Sequence, residues 1–507
     1  MFERGVGGKG SIATVMTIPA SITGWNARDA LPNMNPTDAI ILDNLIPTTT
    51  GLTLRPGYST HVTGLGASVE TLMTHSAPDG TDTMFGAAGT SVYDVTVAGA
   101  VGAAVVSSTV NARWIHTMFA TSGGNFLVCA NGGTDVRNFD GTTWTTPSIT
   151  NVTSANLSFV TAHVSRLFFI EKNTLYAWYL PVSSIAGAAS KLDFGPYCKL
   201  GGSLAAIASW TRDGGSGADD VAVFITTKGE ALLYSGSDPS SATTWSLIGV
   251  FKIPEPIGSR CVIKIGADVA IITSAGALPL SAILDLTSSG AGQAAATDKI
   301  RGAFRASYLG NSTTFGWQAI EYPKAGILIV NVPNGANYYQ YVMNIQTGAW
   351  CRLKSIEAIC WGMKGDSIYF GDANGKVIKW DVDYNDNGDA IVATVMPAFQ
   401  NLGSPFHKHV TMARPLFTSV TGTSIPVQIK VDYDTSDASF TYTTVPASTS
   451  PWGSPWGSSW SLATAPISNW QVATGYGQVI SPVMGVSSES TVTLNQVDVM
   501  FHSGGPL

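Results

Sequence analysis

The chain has 507 residues, of which 45% are hydrophobic and only 12% are charged. This composition excludes a disordered chain and, with 54 glycines, a long helical bundle. The 27 lysines and arginines against 34 aspartates and glutamates give a formal net charge of −7, which excludes a protein that grips nucleic acid through one large basic face.

The N-terminal part of the chain predicts an arm followed by a short helix. Residues 1–23 are rich in glycine and favour a flexible arm. After them, Asn35 suits the N-cap of a helix, Pro36 suits its first position, and Pro47 would end it. We therefore expect residues 1–58 to form an arm and a short helix.

A single pattern recurs between residues 60 and 382. A short apolar strand is followed by a Gly/Asp turn and by two or three further strands, in units of roughly 40 to 50 residues. Small sheets of this kind bury both faces when they pack around an axis, so the pattern predicts a β-propeller over residues 59–389. About seven blades are expected, with six to eight possible. The first strands begin at Val69, Trp114, Phe159, Leu204, Cys261, Trp317 and Ile359.

One helix interrupts the predicted strands, over residues 297–309. Its cations Lys299, Arg301 and Arg305 form the densest small cluster of positive charge in the chain. Two interpretations stay open for these side chains: contact with DNA or a neighbouring subunit, and an ordinary solvated helix face.

Residues 390–507 predict a separate β-sandwich-like domain, because alternating apolar residues such as Val427, Ile429 and Val431 indicate half-buried strands. A Gly/Ser/Pro-rich loop in this domain carries Trp452, Trp456 and Trp460. Exposed tryptophans are unfavourable unless they are covered, so the loop favours a subunit interface, with a glycan-binding platform as the alternative.

The cysteine spacing and the hydropathy pattern limit which kinds of site and segment the chain can contain. Five scattered cysteines without a CxxC pair support neither a disulfide framework nor a zinc site, and they suit a reducing cytoplasm. No stretch approaches the 18 apolar residues that a membrane-spanning helix needs.

No catalytic, metal or cofactor constellation emerges from the motifs. His407 and His409 have the spacing of metal ligands on a strand, but a third ligand is missing. Residues 383–388 match the start of a calcium loop, yet Thr394 stands where the closing glutamate belongs, which favours an Asx-rich turn. The pair Asp219 and Asp220 lies in a glycine-rich turn and is a poor glycosidase site. We expect no enzyme and no cofactor; a hydrolase would require a carboxylate pair in a pocket.

An ordered series of short motifs resembles a known family, and it covers most of the chain before thinning after residue 415. The motifs are residues 24–31, Met34, Pro36, 38–39, 42–44, Pro47, 51–52, 54–57, 245–249, 256–258, 260–261, 266–268, 279–281, 298–301, 316–319, 322–323, 330–333, 340–344, 347–352 and 369–371. Together they resemble the β-propeller tail proteins of short-tailed bacteriophages and prophages, the nozzle (tail hub, or packaged-DNA stabilisation) family.

The resemblance implies a structural virion protein of the phage tail, assembled in the cytoplasm of the bacterial host. Members of the family form a ring, commonly a homohexamer, below the portal and adaptor proteins, with tail fibre or needle proteins around or below it. The ring closes the exit channel after packaging and conducts the double-stranded DNA through its lumen during ejection. The family brings no catalytic residues to this chain.

An alternative function belongs to another class. A carbohydrate-binding adhesin of the phage tail would contact the host surface through the propeller or the tryptophan loop. Ring-shaped particles would favour the nozzle, whereas glycan binding that is lost on changing Trp452 and Trp456 to alanine would favour the adhesin.

Overall fold

The computed structural model describes residues 13–211, 220–241, 243–266, 268–285, 295–419, 423–442 and 465–504. The chain divides into two compact units. The propeller unit contains the described residues of Tyr58–Tyr341 and Lys354–Val382, and the terminal unit contains those of Met1–Gly57, Val342–Leu353 and Asp383–Leu507. The N-terminal residues therefore share a unit with the C-terminal residues, whereas the sequence predicted them as a separate arm and helix.

The propeller unit is built from seven blades of antiparallel strands, which confirms the predicted all-β propeller-like fold. Blades 1 to 5 are separate small sheets, whereas the strands of blades 6 and 7 belong to a larger sheet; the blades are numbered here in chain order. The strands of blades 1 to 4 are Val69–Ser76, Asp82–Ala88, Ser91–Asp94 and Ala104–Val106; Ile115–Thr121, Gly124–Ala130, Arg137–Phe139 and Trp144–Thr145; Leu157–His163, Arg166–Glu171, Tyr176–Tyr179 and Ser190–Asp193; and Leu204–Thr211, Asp220–Thr226, Glu230–Gly236 and Trp245–Lys252.

Blades 5 to 7 complete the unit. Their strands are Val262–Ile265, Asp268–Thr273 and Gly276–Pro279; Gln318–Tyr322, Ile327–Asn334 and Asn337–Asn344; and Cys360–Lys364, Ser367–Gly371, Val377–Trp380 and Tyr58–Thr63. Three short strands, Gly99–Ala100, Ile149–Thr150 and Gly187–Ala188, form minor pairs beside the blades. The last strand of blade 6 continues to Asn344, beyond the limit of the unit at Tyr341.

Blade 7 joins the two ends of the propeller sequence. Its outer strand is Tyr58–Thr63, which pairs antiparallel with Val377–Trp380 more than 300 residues later. Because the first strand of the unit completes the last blade, the ring of blades is closed by backbone hydrogen bonds and has no free end there.

The blades pack face to face, so their second strands are buried on both sides. Asp220–Thr226 and Ile327–Asn334 are buried along almost their whole length and read as continuous apolar runs in the sequence. Close approach requires a glycine at position 371, where an added Cβ would lie 2.6 Å from the Cβ of Val69 in blade 1. Large aromatic side chains fill the spaces between blades; those fully buried in this unit include Trp114, Trp361, Trp380, Phe168 and Phe224.

Helices are few in the described chain. Helix α1 is Leu280–Asp285 and helix α2 is Arg301–Asn311; the 3₁₀ turns are Leu31–Asn33, Ser154–Asn156, Asp298–Ile300 and Pro323–Ala325. Helix α2 confirms the helix predicted over residues 297–309, with a 3₁₀ turn in place of its first residues.

The strands of the terminal unit belong to two sheets. One contains Thr14–Pro19, Leu45–Pro47, Leu52–Leu54, Lys408–Ser419, Ala465–Ser468, Gln471–Gly477 and Val492–Ser503. The other contains Gly24–Trp25, Asp38–Asp43, Trp350–Leu353, Asn385–Asp386, Asp389–Pro397, Val427–Val431 and Ile480–Ser488. The sheets meet where a Cβ on Gly475 would lie 2.6 Å from the side chain of Ile429.

The predicted helix after Asn35 is wrong, because this segment forms the strand Asp38–Asp43. The Asn35 side chain accepts a hydrogen bond from the Thr37 amide in an Asx turn and caps no helix. Asp38 accepts a hydrogen bond from the Asn26 side chain at 2.8 Å. The apolar residues that follow pack on both faces of the strand, so burial overrides the local helix signals.

The predicted arm is also wrong for its described part. Residues Thr14–Pro19 form a strand paired in full register with Val492–Ser503. Residues 1–12 of the predicted arm lie outside the described residues.

All five cysteines are free thiols, and four of them are buried. Burial raises the pKa of Cys261 and Cys360 to about 12, and that of the half-buried Cys198 to about 11. Within the described segments, no helix is both long enough and apolar enough to cross a bilayer.

Candidate functional site

The predicted cation cluster lies on and just before helix α2. Ile300 and Phe304 turn inward, and Phe304 packs 5.7 Å from the Trp317 ring. Arg301 and Arg305 are exposed one turn apart, whereas Lys299 is half-buried. Arg301 forms a long ion pair of 3.5 Å with Asp298. The predicted helix face is therefore correct, and the contact of these cations with DNA or a subunit stays a prediction.

The tryptophan loop cannot be placed in the same way. Trp452, Trp456 and Trp460 lie outside the described residues, so their role as an interface also stays a prediction.

A cavity of about 250 Å³ lies at the centre of the propeller, near the beginning of the innermost strands. Every blade contributes at least one residue to its wall. The lining residues are Thr71, Leu72, Trp114, Ile115, His116, Thr117, Phe159, Val160, Thr161, Ile207, Ser259, Arg260, Val262, Gln318, Ala319 and Trp361. We call this cavity the bore.

Arg260 crosses the bore. It stands just before the inner strand of blade 5 and donates hydrogen bonds to the Glu70 carbonyl at 3.0 Å, the Thr71 hydroxyl at 2.6 Å and the Trp114 carbonyl at 3.2 Å. Glu70 and Thr71 belong to blade 1, and Trp114 precedes the inner strand of blade 2. Blades 6 and 7 lie between blade 5 and blade 1, and blades 3 and 4 lie between blade 5 and blade 2. The Arg260 side chain therefore connects opposite walls of the bore.

The charge of Arg260 is only indirectly compensated. The nearest carboxylate, Glu70, forms its ion pair with Arg113 at 3.1 Å. Both guanidinium groups approach the Phe315 ring, Arg113 at 4.3 Å and Arg260 at 5.0 Å from its centre. Desolvation by the surrounding blades lowers the pKa of Arg260. The guanidinium is a cation, because arginine is not deprotonated in proteins.

His116 is the other titratable group in the wall of the bore. Its surface is accessible to the bore, yet the blades enclose it, and this desolvation together with the charge of Arg260 lowers the pKa of His116 to about 4. The imidazole is therefore neutral at pH 7. It has no hydrogen-bond partner among the described residues.

A buried amide network lies beside the bore. Asn331 donates to the Gly316 and Ala358 carbonyls, both at 2.8 Å, and accepts from the Gln340 amide at 2.9 Å and the Trp361 indole at 3.0 Å. All four hydrogen-bonding positions of this side chain are thus occupied. The network connects the motifs 316–319, 330–333 and 340–344, which are separate segments of the sequence.

The motifs near the N-terminus converge in the terminal unit. A Cβ on Gly24 would lie 2.6 Å from the carbonyl oxygen of Trp350, and the Arg352 guanidinium lies 5.2 Å from the centre of the Trp25 ring. Arg352 also forms two hydrogen bonds with Asp43, of 2.7 and 3.0 Å. Motifs 24–31, 42–44 and 347–352 therefore form one contact cluster, although more than 300 residues separate the first two motifs from the third.

An exposed apolar row crosses one sheet of the terminal unit. Cross-strand register places Val472 beside Met412, Met412 beside Met500, and Met500 beside Val15. Val472 is 78% exposed and Val15 is 45% exposed, with the two methionines half-buried between them. We call these four residues the apolar row.

The histidine pair and the calcium-like loop make structural contacts, whereas Asp219 of the predicted carboxylate pair lies outside the described residues. His407 stacks on the Tyr476 ring with 5.3 Å between ring centres, and His409 faces His502 across two strands. In the calcium-like loop, Asp386 forms an ion pair with the buried Arg55 at 2.6 Å. Among the described residues, no group of three or more His, Cys, Asp or Glu side chains is arranged to hold a metal ion.

Reasoning from the sequence missed the bore. Arg260 falls within the motif 260–261, and His116 belongs to none of the motifs. The available signal was position: both stand at the start of a predicted inner strand, and inner strands line the axis of a propeller.

No protein-family model and no curated protein sequence matches this chain. Among solved structures, it is similar to the computationally designed Ika8 protein, with 11% identity and a TM-score of 0.34 over 64% of this chain and 100% of that one. It is also similar to the β-propeller domain of Cps50 (Swd1) from Myceliophteria thermophila, with 13% identity and a TM-score of 0.39 over 66% of this chain and 100% of that one. At these values neither likeness bears on function.

Proposed function

We propose that this chain is a structural virion protein of a phage tail, a nozzle or hub in which several copies form a ring. The ring would close the DNA exit channel after packaging and conduct DNA during ejection. The observation that carries the proposal is the convergence of the family-like motifs. Segments 24–31, 42–44 and 347–352 contact one another, and so do segments 316–319, 330–333 and 340–344.

This convergence matters because short motifs matched by chance have no reason to meet in space. The matched residues here include interacting pairs, such as Asp43 with Arg352 and Asn331 with Gln340. Residues that match together and contact one another support a shared fold more strongly than the same number of scattered matches.

The size of the bore supports a lumen formed between copies. A cavity of about 250 Å³ has room only for small molecules. Arg260 also crosses this space. A duplex therefore cannot pass through one propeller, and a DNA conduit requires a ring of several chains.

The charge of the chain suits such a conduit. Six copies at −7 carry a formal total near −42, and a wall of that sign repels phosphate and keeps DNA mobile. A basic lumen would instead hold DNA through counterion release. We expect an acidic or neutral inner surface in the ring, and a basic one would contradict this part of the proposal.

The apolar row supports contact between copies. Exposed apolar residues that adjoin one another mark protein–protein contacts more often than isolated ones do. A second copy of the same chain is the partner that the proposed ring requires. Val472, the most exposed member of the row, is the position at which a charge should disturb this contact most.

The test is the assembly state of the full chain, measured by mass photometry and negative-stain electron microscopy over a range of concentrations. We expect rings, commonly of six copies, and a lower ring population for Val472→Glu. The matched control is Val97→Glu in the propeller unit, because Val97 is 80% exposed against 78% for Val472.

Two results would contradict the proposal. A chain that stays monomeric at all concentrations, alone and with portal and adaptor proteins, would overturn the ring. A monomer that binds glycans, with loss of binding after Trp452→Ala, would establish the adhesin instead. Equal loss of rings in both valine variants would show that the apolar row is not the contact between copies, without contradicting ring formation by the original chain.

A further inference from the structure

We propose that the bore of a single propeller is a binding site for a small oxyanion, a carboxylate or a phosphate, with Arg260 as the anion-binding group. The site belongs to one chain and does not depend on the proposed ring.

The hydrogen bonds of Arg260 leave donors available. A guanidinium has five N–H groups, and three of them point at the Glu70 carbonyl, the Thr71 hydroxyl and the Trp114 carbonyl. All three acceptors are neutral. The other two N–H groups have no acceptor among the described residues, and part of the Arg260 surface remains accessible to the bore.

The wall of the bore carries one positive charge and no negative one. Arg260 is the single charged residue among those that line it, and none of the lining residues is a carboxylate. Glu70 is nearby, but Arg113 already holds its carboxylate. An arginine enclosed without a hydrogen-bonded carboxylate is an electrostatic site for an anion, because a low-dielectric surrounding strengthens the attraction.

The other polar groups of the wall suit the oxygens of such an anion. Ser259 adjoins Arg260, and blade 3 contributes Thr161, whereas the Thr117 hydroxyl of blade 2 already donates to the Met118 carbonyl at 3.4 Å. His116, neutral and without a partner, has one ring N–H that can donate. Donors from several blades converge on one space, as they do in small-molecule sites.

The volume of the bore limits the ligand to small ions. About 250 Å³ corresponds to roughly eight water molecules at about 30 Å³ each. It is slightly below the range of about 300 to 1,000 Å³ that is typical for drug-sized ligands. Inorganic phosphate and short mono- to tricarboxylates have the right size, whereas nucleotides do not.

The experiment is isothermal titration calorimetry of the full chain at pH 7.5 and constant ionic strength. The probes are inorganic phosphate, acetate and citrate, with glycerol as an uncharged control. We expect saturable binding of at least one oxyanion at one site per chain, and no binding of glycerol. Binding of phosphate alone would assign the site to phosphates, and binding of acetate or citrate alone would assign it to carboxylates.

Three variants locate the site. Arg260→Gln should weaken binding at least 10-fold. Ser259→Asp places a carboxylate beside Arg260 and should weaken anion binding to the same degree, while the hydrogen bonds of Arg260 to blades 1 and 2 stay in place. This variant therefore tests the site even if Arg260→Gln fails to fold. Arg305→Gln removes the same charge from the exposed face of helix α2 and should change affinity less than twofold.

The proposal is overturned if no oxyanion binds saturably. It is equally overturned if binding persists in folded Arg260→Gln or Ser259→Asp, or if Arg305→Gln loses binding to the same degree, because the anion would then be held on the surface.

Discussion

Changing Asn331 to aspartate should open the propeller locally, because this residue is the centre of a buried network in which every position is used. The substitution keeps the shape of the side chain but replaces its NH₂ group with oxygen. The two hydrogen bonds that Asn331 donates, each 2.8 Å long, end on the Gly316 and Ala358 carbonyls. In the variant, oxygen would face oxygen at both contacts.

The cost follows from these two carbonyls. Each buried polar group left without a partner costs about 1 to 3 kcal/mol, so two of them cost about 2 to 6 kcal/mol. Asn331 has no exposed surface, which prevents water from replacing the lost donors. Burial of the new carboxylate adds to this cost if it is charged. Even the lower value corresponds to a roughly 30-fold change in an opening equilibrium.

Hydrogen exchange followed by mass spectrometry measures this effect in a chain of two units, for which a single unfolding transition is not assured. We expect protection of peptides covering residues 316–334 and 356–361 to fall at least 30-fold. The matched control is Asn334→Asp, three residues along the same strand but exposed, which should leave protection within threefold of the original chain. Protection that is unchanged in Asn331→Asp would refute the reasoning.

Three further predictions concern other contacts. Arg55→Met leaves Asp386 without the fully buried partner that holds it at 2.6 Å, so protection from hydrogen exchange around residues 383–397 should fall by a factor that corresponds to about 3 to 5 kcal/mol. The double variant with Asp386→Leu should recover most of this loss, and a double variant as unprotected as the single one would contradict the prediction. Gly371→Ala should destabilise blade 7 by about 1 to 3 kcal/mol in thermal unfolding, because the added Cβ would lie 2.6 Å from blade 1. The control is Gly310→Ala, where an added Cβ meets nothing within 4 Å, and this variant should be neutral or stabilising. The pKa of His116 is lowered to about 4, so the unfolded chain protonates this imidazole near pH 6.5 and the folded chain only near pH 4. The urea midpoint of unfolding should therefore fall as the pH drops from about 6.5 to 4, and it should fall less steeply in His116→Gln. An equal slope in both proteins would contradict the lowered pKa of His116.

The propeller could be predicted from the sequence because its signals are local and repeated. Each blade starts with a short apolar strand, and the turns between strands are marked by Gly and Asp. Helix α2 was predictable for the same reason, since Ile300 and Phe304 recur at helical spacing and both are buried. In these segments the local propensity and the final packing favour the same structure.

The prediction for the N-terminal segment is wrong because its local signals favour a helix, whereas packing makes it a strand. Asn35 and Pro36 are typical of a helix start, but the strand Asp38–Asp43 pairs with Asp389–Pro397, about 350 residues later. The strand Thr14–Pro19 depends on Val492–Ser503 in the same way. No window of the sequence contains both partners, so the sequence read locally assigns the segment to the wrong class.

The bore could not be predicted for a related reason, and its size bears on the proposed passage of DNA. The partners of Arg260 lie 146 to 190 residues away in the chain. Since this one arginine ties blade 5 to blades 1 and 2, it both narrows the axis and concentrates positive charge there. A propeller closed in this way can hold a small anion but cannot admit a duplex. In the proposed ring, DNA must therefore pass between the outer surfaces of neighbouring chains, and the charges on those surfaces set the electrostatic potential of the lumen.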